Sequence, residues 1–136
     1  MKNRIFLFCI TACMILFSCS KKEKSERFLL LTTPVWTTES IVATGTDTTG
    51  IGVLIKQLEG DAKFNEDYTG YFGSITGQWG FIADETKITI KTQSLIVAIV
   101  ADIIQITAQS LKLSTPVTLP THPSDPINML ITFKAK

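Results

Sequence analysis

The chain has 136 residues, with 13 basic against 12 acidic side chains. That length suits one domain, and the near-neutral balance gives no electrostatic reason to bind nucleic acid. All three cysteines fall within the first 19 residues, so the remainder can hold no disulfide, thiol nucleophile or thiolate metal site.

Met1 to Arg4 is short and basic. Ile5 to Phe17 is then an unbroken run of 13 apolar or small residues. A helix needs about 20 residues to cross a bilayer core. A charged start before a short apolar middle predicts a secretory signal peptide. Leu16-Phe17-Ser18-Cys19 resembles the bacterial lipobox, in which the cysteine sulfur takes a diacylglyceryl group and becomes the new N-terminus. Ile10-Thr11-Ala12-Cys13 fits the same pattern, but a cut there would leave Met14-Ile15-Leu16-Phe17 where a polar tether is expected. The reading is a signal peptide over 1–18, with Cys19 as the site of lipid attachment and palmitate-type acylation. Removing 1–18 leaves 118 residues with a balance of −1. No later apolar run reaches about 20 residues. Residues 19–27, CSKKEKSER, read as a solvated tether.

Beyond Arg27, Thr, Ile and Val abound, with Gly and Asp punctuating at short intervals, as in chains of many short strands. Phe28 to Leu31 is a helical turn that closes one end of the domain. Val35 to Thr44 is the first strand. Ile51 to Leu58 suits either a strand or a short helix. Asp61 to Phe64 and Tyr68 to Gly73 form a hairpin around Asn65-Glu66-Asp67. Gly77 to Ile82 and Lys87 to Lys91 are strands flanking a turn at 83–86. Leu95 to Val100 is apolar throughout, with a bend or bulge at Ala101-Asp102. Ile103 to Thr107, Leu111 to Ser114 and Asn128 to Lys134 complete the strands, and Thr115 to Pro126 reads as a proline-rich loop. Short turns between successive strands predict an all-β, antiparallel up-and-down barrel of about eight strands. A two-sheet sandwich is the alternative.

FNEDYTGYFGSITGQWGFIADETKITI (64–90) resembles the central part of the lipocalin-like lipoproteins of Bacteroidetes. Asp67 and Gly70 keep that family's hairpin, although Tyr68 stands where a glycine is usual. Gly77-Gln78-Trp79 keeps its Gly-x-Trp element. Trp36 matches the first-strand tryptophan that plugs one end, and ITFKAK (131–136) matches the closing strand. The resemblance spans most of 28–136. It implies a calycin-type barrel with room for a ligand cavity, and an outer-membrane address.

Catalysis has little support. His122 is the only histidine and sits between prolines, without a nucleophile elbow anywhere. One histidine without cysteine makes no typical zinc site, and neither DTTG nor NED has the oxygens of a calcium loop. The acid pairs Glu66-Asp67 and Asp84-Glu85 fall on turns. We therefore expect no enzyme activity, catalytic residue, metal or cofactor. Asp47-Thr48-Thr49 resembles the O-glycan acceptor pattern of exported Bacteroidetes proteins, with Thr48 as acceptor.

Binding is the remaining class. An eight-stranded barrel is filled by its own side chains or holds one small ligand. Alternation turns Phe64, Phe72, Trp79, Phe81, Ile88, Ile90, Ile104, Ile106, Leu111, Leu113, Ile131 and Phe133 inward. Phe72, Trp79, Phe81, Ile88, Ile90, Ile104, Ile106 and Phe133 are the candidates to line a ligand. The expectation is a lipid-anchored, lipocalin-like envelope protein that takes a small apolar ligand or lipid. The alternative is an interaction or accessory protein with a solid core. The mixed-charge tether leaves both faces of the outer membrane open.

Overall fold

The computed structural model describes residues 23–45, 48, 50–94, 98–119 and 122–136. Eight antiparallel strands close into one barrel in chain order. They are β1 (Trp36–Thr44), β2 (Asp61–Phe64), β3 (Thr69–Phe72), β4 (Ile75–Ile82), β5 (Lys87–Thr92), β6 (Ile99–Ile106), β7 (Ser110–Leu119) and β8 (His122–Ala135). β8 returns to β1 over a long register, from Trp36↔Ala135 to Thr44↔Asn128. A closed sheet rules out the sandwich. The β1–β2 seam is thin, with only Trp36↔Ala62 and Thr37↔Asp61 in register.

Among the described residues, two seven-residue helices accompany the barrel: α1 (Glu26–Thr32) and α2 (Gly52–Leu58). α2 settles the ambiguous 51–58 segment as a helix. Apolar side chains alternate inward along the strands, with Thr, Ser, Lys and Gln outward. That is the reverse of a membrane-spanning barrel, whose apolar band faces out. Among the described residues no helix is long and apolar enough to cross a membrane.

The structure departs from the sequence reading in three places. Thr115 to Pro126 is not a loop: β7 and β8 continue through most of it as a long hairpin, paired up to Val117↔Ile127 and again at Leu119↔His122. The prolines misled because each lacks a ladder donor. The structure accommodates them locally. The register slips between Ile127 and His122, where Pro123 and Pro126 lie. At Pro116, the hydroxyl of the preceding buried Thr115 donates instead, to Val100 O at 2.9 Å. The second departure is that β6 runs unbroken from Ile99 to Ile106, and its bulge falls between Ile103 and Gln105 rather than at Ala101-Asp102. Ile104 is the extra residue, and it turns outward, 59% exposed. A matching slip between Thr38 and Ser40 makes Glu39 the extra residue of β1.

The third departure is the start of the domain, which takes in Ser25 to Arg27 from the predicted tether. Ser25 caps α1: its hydroxyl accepts from Phe28 N–H at 3.1 Å and donates to Glu85 Oε1 at 2.7 Å. Arg27 Nη1 donates to Glu85 O at 2.9 Å. At the far end of α1, Lys63 Nζ donates to the carbonyls of Thr32, Thr33 and Pro34, oxygens the helix leaves without partners. Beneath it Trp36 is fully buried, its Nε1 donating to Leu31 O at 3.0 Å. α1 thus closes the barrel end where β2, β4, β6 and β8 finish, as the apolar 28–31 stretch predicts. α2 packs at the opposite rim. There Ser74 N–H donates to Gln57 O at 2.9 Å, and a Cβ on Gly73 (φ +60°) would lie 2.2 Å from that same oxygen. Only glycine fits so close an approach.

Candidate functional site

The inward side chains fill two layers. Under α1 lies an aromatic cluster centred on Trp79. Its ring meets Phe64, Phe81, Tyr68 and Phe28 with centroids 5.3–5.8 Å apart. Trp79 Nε1 donates to Asn65 O at 3.0 Å, which satisfies its one polar atom. The Gly77 before it has a local reason: a Cβ there would stand 2.2 Å from Lys91 O, so this corner of the sheet bends too sharply for a side chain.

The second layer, toward α2, surrounds an interior void. Its lining includes Phe72, Ile90 and Phe133 from the predicted set, with Phe64, Leu113 and Ile131 from the wider inward set. Leu58, Ile99, Ala101, Thr115 and Met129 also line it and were missed. Met129 was legible in part, since Met129, Ile131 and Phe133 alternate. Thr115 was hidden by its assignment to a loop. The void measures about 20 Å³, room for roughly one water, whereas small-ligand pockets run to several hundred Å³. Thr115, the lone polar side chain in the lining, already donates its hydroxyl to Val100 O.

The eight predicted lining residues therefore divide. Trp79, Phe72, Ile88, Ile90 and Phe133 are buried in the interior, and Phe81 and Ile106 are partly buried against it. Ile104 is a correction: the bulge puts it on the outside. Of the other predicted sites, Cys19 lies outside the described residues. Thr48 is exposed, and its carbonyl accepts from Ile51 N–H at 3.4 Å; its neighbours Asp47 and Thr49 are not described. His122 opens β8.

An open surface depression of about 750 Å³ lies across β3, β4 and β5, with Tyr71, Thr76, Gln78 and Lys91 at its floor and edges. The paired acids stay apart on their turns. Glu66 pairs with Lys24 at 2.5 Å, and the Thr69 hydroxyl and amide hold the Asp67 carboxyl below the usual carboxylate range. Asp61 is held low by Lys136 Nζ at 2.7 Å and by the Thr37 hydroxyl at 2.7 Å, and Lys136 is raised in return. Among the described residues no three His, Cys, Asp or Glu side chains converge on a point where a metal would sit. No protein-family model matches the chain, and no curated protein sequence matches it.

Proposed function

We propose that the chain is a lipid-anchored, non-enzymatic accessory domain of the cell envelope. It is lipocalin-like in build and acts through its surface around a solid core. The observation that carries this reading is the interior: a void of about 20 Å³ inside a closed ring of apolar side chains. The address rests on the sequence, where a basic start, a short apolar run and Leu16-Phe17-Ser18-Cys19 lead into a polar stretch. Two or three acyl chains at Cys19 give a stable attachment, at about 0.8 kcal/mol per buried CH₂. The outer membrane is the proposed location.

A small apolar ligand in the barrel is the second reading. What favours it is the composition of the lining, apolar except for Thr115, and the place of Leu58 within it. Leu58 belongs to α2, so displacing that helix would widen the void.

Mass spectrometry of the chain purified from membranes tests both readings. The solid-core reading expects acyl mass on Cys19 and no stoichiometric small molecule released on denaturation. A co-purifying lipid at one per chain would favour the second reading, and an unmodified Cys19 would remove the anchor.

A further inference from the structure

Among the described residues, nine large apolar side chains stand out as exposed, and four of them belong to the end that α1 closes. Leu29 lies on α1, Tyr68 on the β2–β3 turn, Ile82 at the end of β4, and Ile104 near the end of β6. Exposures of 45, 52, 41 and 59% leave a large share of each in water. Their placement is not scattered. Ile82 pairs with Lys87, Lys87 pairs with Asp102, and Ile103 N–H donates to Thr86 O, so Ile82 and Ile104 flank one strand start. The N-terminus of α1 is tied to the same turn through Glu85. The outer face of α1 carries Glu26, Leu29, Leu30 and Thr33, with two leucines at its middle. Ile104 is outside only because β6 carries an extra residue there.

This is also the end at which the chain arrives. Lys24 pairs with Glu66 on the β2–β3 turn, and Ser25 bonds Glu85 on the β4–β5 turn. Cys19 is four residues before Glu23, a reach of at most about 15 Å. With acyl chains on Cys19, nothing longer than that separates this end from the bilayer.

We infer that the closed end of the barrel rests on the membrane surface, with Leu29, Ile82 and Ile104 dipping into the headgroup boundary and Tyr68 at its level. This rests on the lipid anchor proposed for Cys19. An acyl tether supplies the attachment, and the apolar cap sets the orientation, with the α2 rim facing away. Aromatic rings with a polar tip favour the headgroup depth. The charges at this end are mixed: Glu26, Glu66, Asp84 and Glu85 stand among Lys24, Arg27 and Lys87. Contact is therefore driven by apolar burial, and anionic lipid is not required.

The test uses the full chain, processed in cells and reconstituted into phosphatidylethanolamine–phosphatidylglycerol vesicles. Cys19 is the one cysteine after position 18, so an introduced cysteine takes a fluorophore selectively. A label at Ile104→Cys is expected to shift to the blue and to be quenched several-fold more by spin-labelled lipid than one at Val53→Cys on α2. The quenching should survive high salt. In the Ile82→Ser/Ile104→Ser variant, a label at Leu29→Cys should lose most of its quenching while the protein stays on the vesicles. Equal, weak quenching at positions 53 and 104 on acylated protein overturns the inference and leaves the anchor standing. A blue shift at 104 without lipid quenching, in a chain that is dimeric in detergent, overturns it in favour of a second copy on this face. Absence of acyl mass on Cys19 overturns both.

Discussion

Tyr68 carries the clearest local conflict in the molecule. Its φ of 66° is left-handed, a conformation that costs an ordinary L residue about 1–2 kcal/mol. The neighbouring turn repeats the strain at Ala83, Asp84 and Glu85. At Tyr68 the ring offsets it, meeting Trp79 at 5.3 Å and Phe28 at 5.8 Å, where each such pair contributes about 0.5–1.5 kcal/mol. Two substitutions separate the backbone from the ring. Tyr68→Ala keeps the strain and loses both contacts, and should lower stability in urea by about 1–3 kcal/mol. Tyr68→Gly loses the same contacts but relieves the strain, and should be more stable than the alanine variant by about 1 kcal/mol. Equal midpoints for the two would show that the φ angle carries no cost. The sequence exposes half of this arrangement. A tyrosine on a polar turn is visible in EDYTG, but one of its partners, Phe28, comes from a helix 40 residues earlier.

Among the elements, α1 depends on few groups. Seven residues are too short to be helical alone, so its ends and its packing must hold it. Ser25 serves both the helix and the β4–β5 turn. Ser25→Ala should cost about 0.5–2 kcal/mol in urea denaturation, with increased protease cleavage ahead of Phe28. A loss below a few tenths would mean that Lys63 at the opposite end is enough. The strands were legible where one face is apolar and the other polar, as in Lys87-Ile88-Thr89-Ile90-Lys91. They were illegible where two rules conflict. Pro116, Pro123 and Pro126 argue for a loop while Leu111-x-Leu113 and Met129-x-Ile131-x-Phe133 argue for strands, and the long β7–β8 pairing overrides the prolines. The extra residues Glu39 and Ile104 leave no local mark, because a bulge is set by the partner strand's register. One such residue moved a predicted ligand contact to the surface.

For the barrel as a whole, closure is least redundant at β1–β2. Asp61 reinforces that seam, accepting from Thr37 on β1 and from Lys136 just past β8. Because its carboxyl is held below the ordinary 3.8, the contribution is present above that value and fades as pH falls through the lower folded value. Lys136 is raised above 10.5, so its share is complete below that pH and fades as pH rises through the higher folded value. Asp61→Asn should therefore narrow the stability difference between about pH 6 and about pH 3, read as urea midpoints, relative to the parent chain. An unchanged difference would show the pair to be screened away. The fold class was readable in the sequence because strand neighbours are also chain neighbours. Whether the interior is hollow was not, since that depends on how Met129, Thr115 and Leu58 meet across the barrel. The same seam has a consequence for connectivity. Lys136 N–H donates to Val35 O at 2.9 Å, so the chain leaves the sheet beside the point where it joins it. A meander closed this way is a ring with an arbitrary cut. Joining residue 136 to residue 25 by a linker that spans α1 and reopening the chain at the exposed 107–109 turn would give a permuted sequence with every strand neighbour intact.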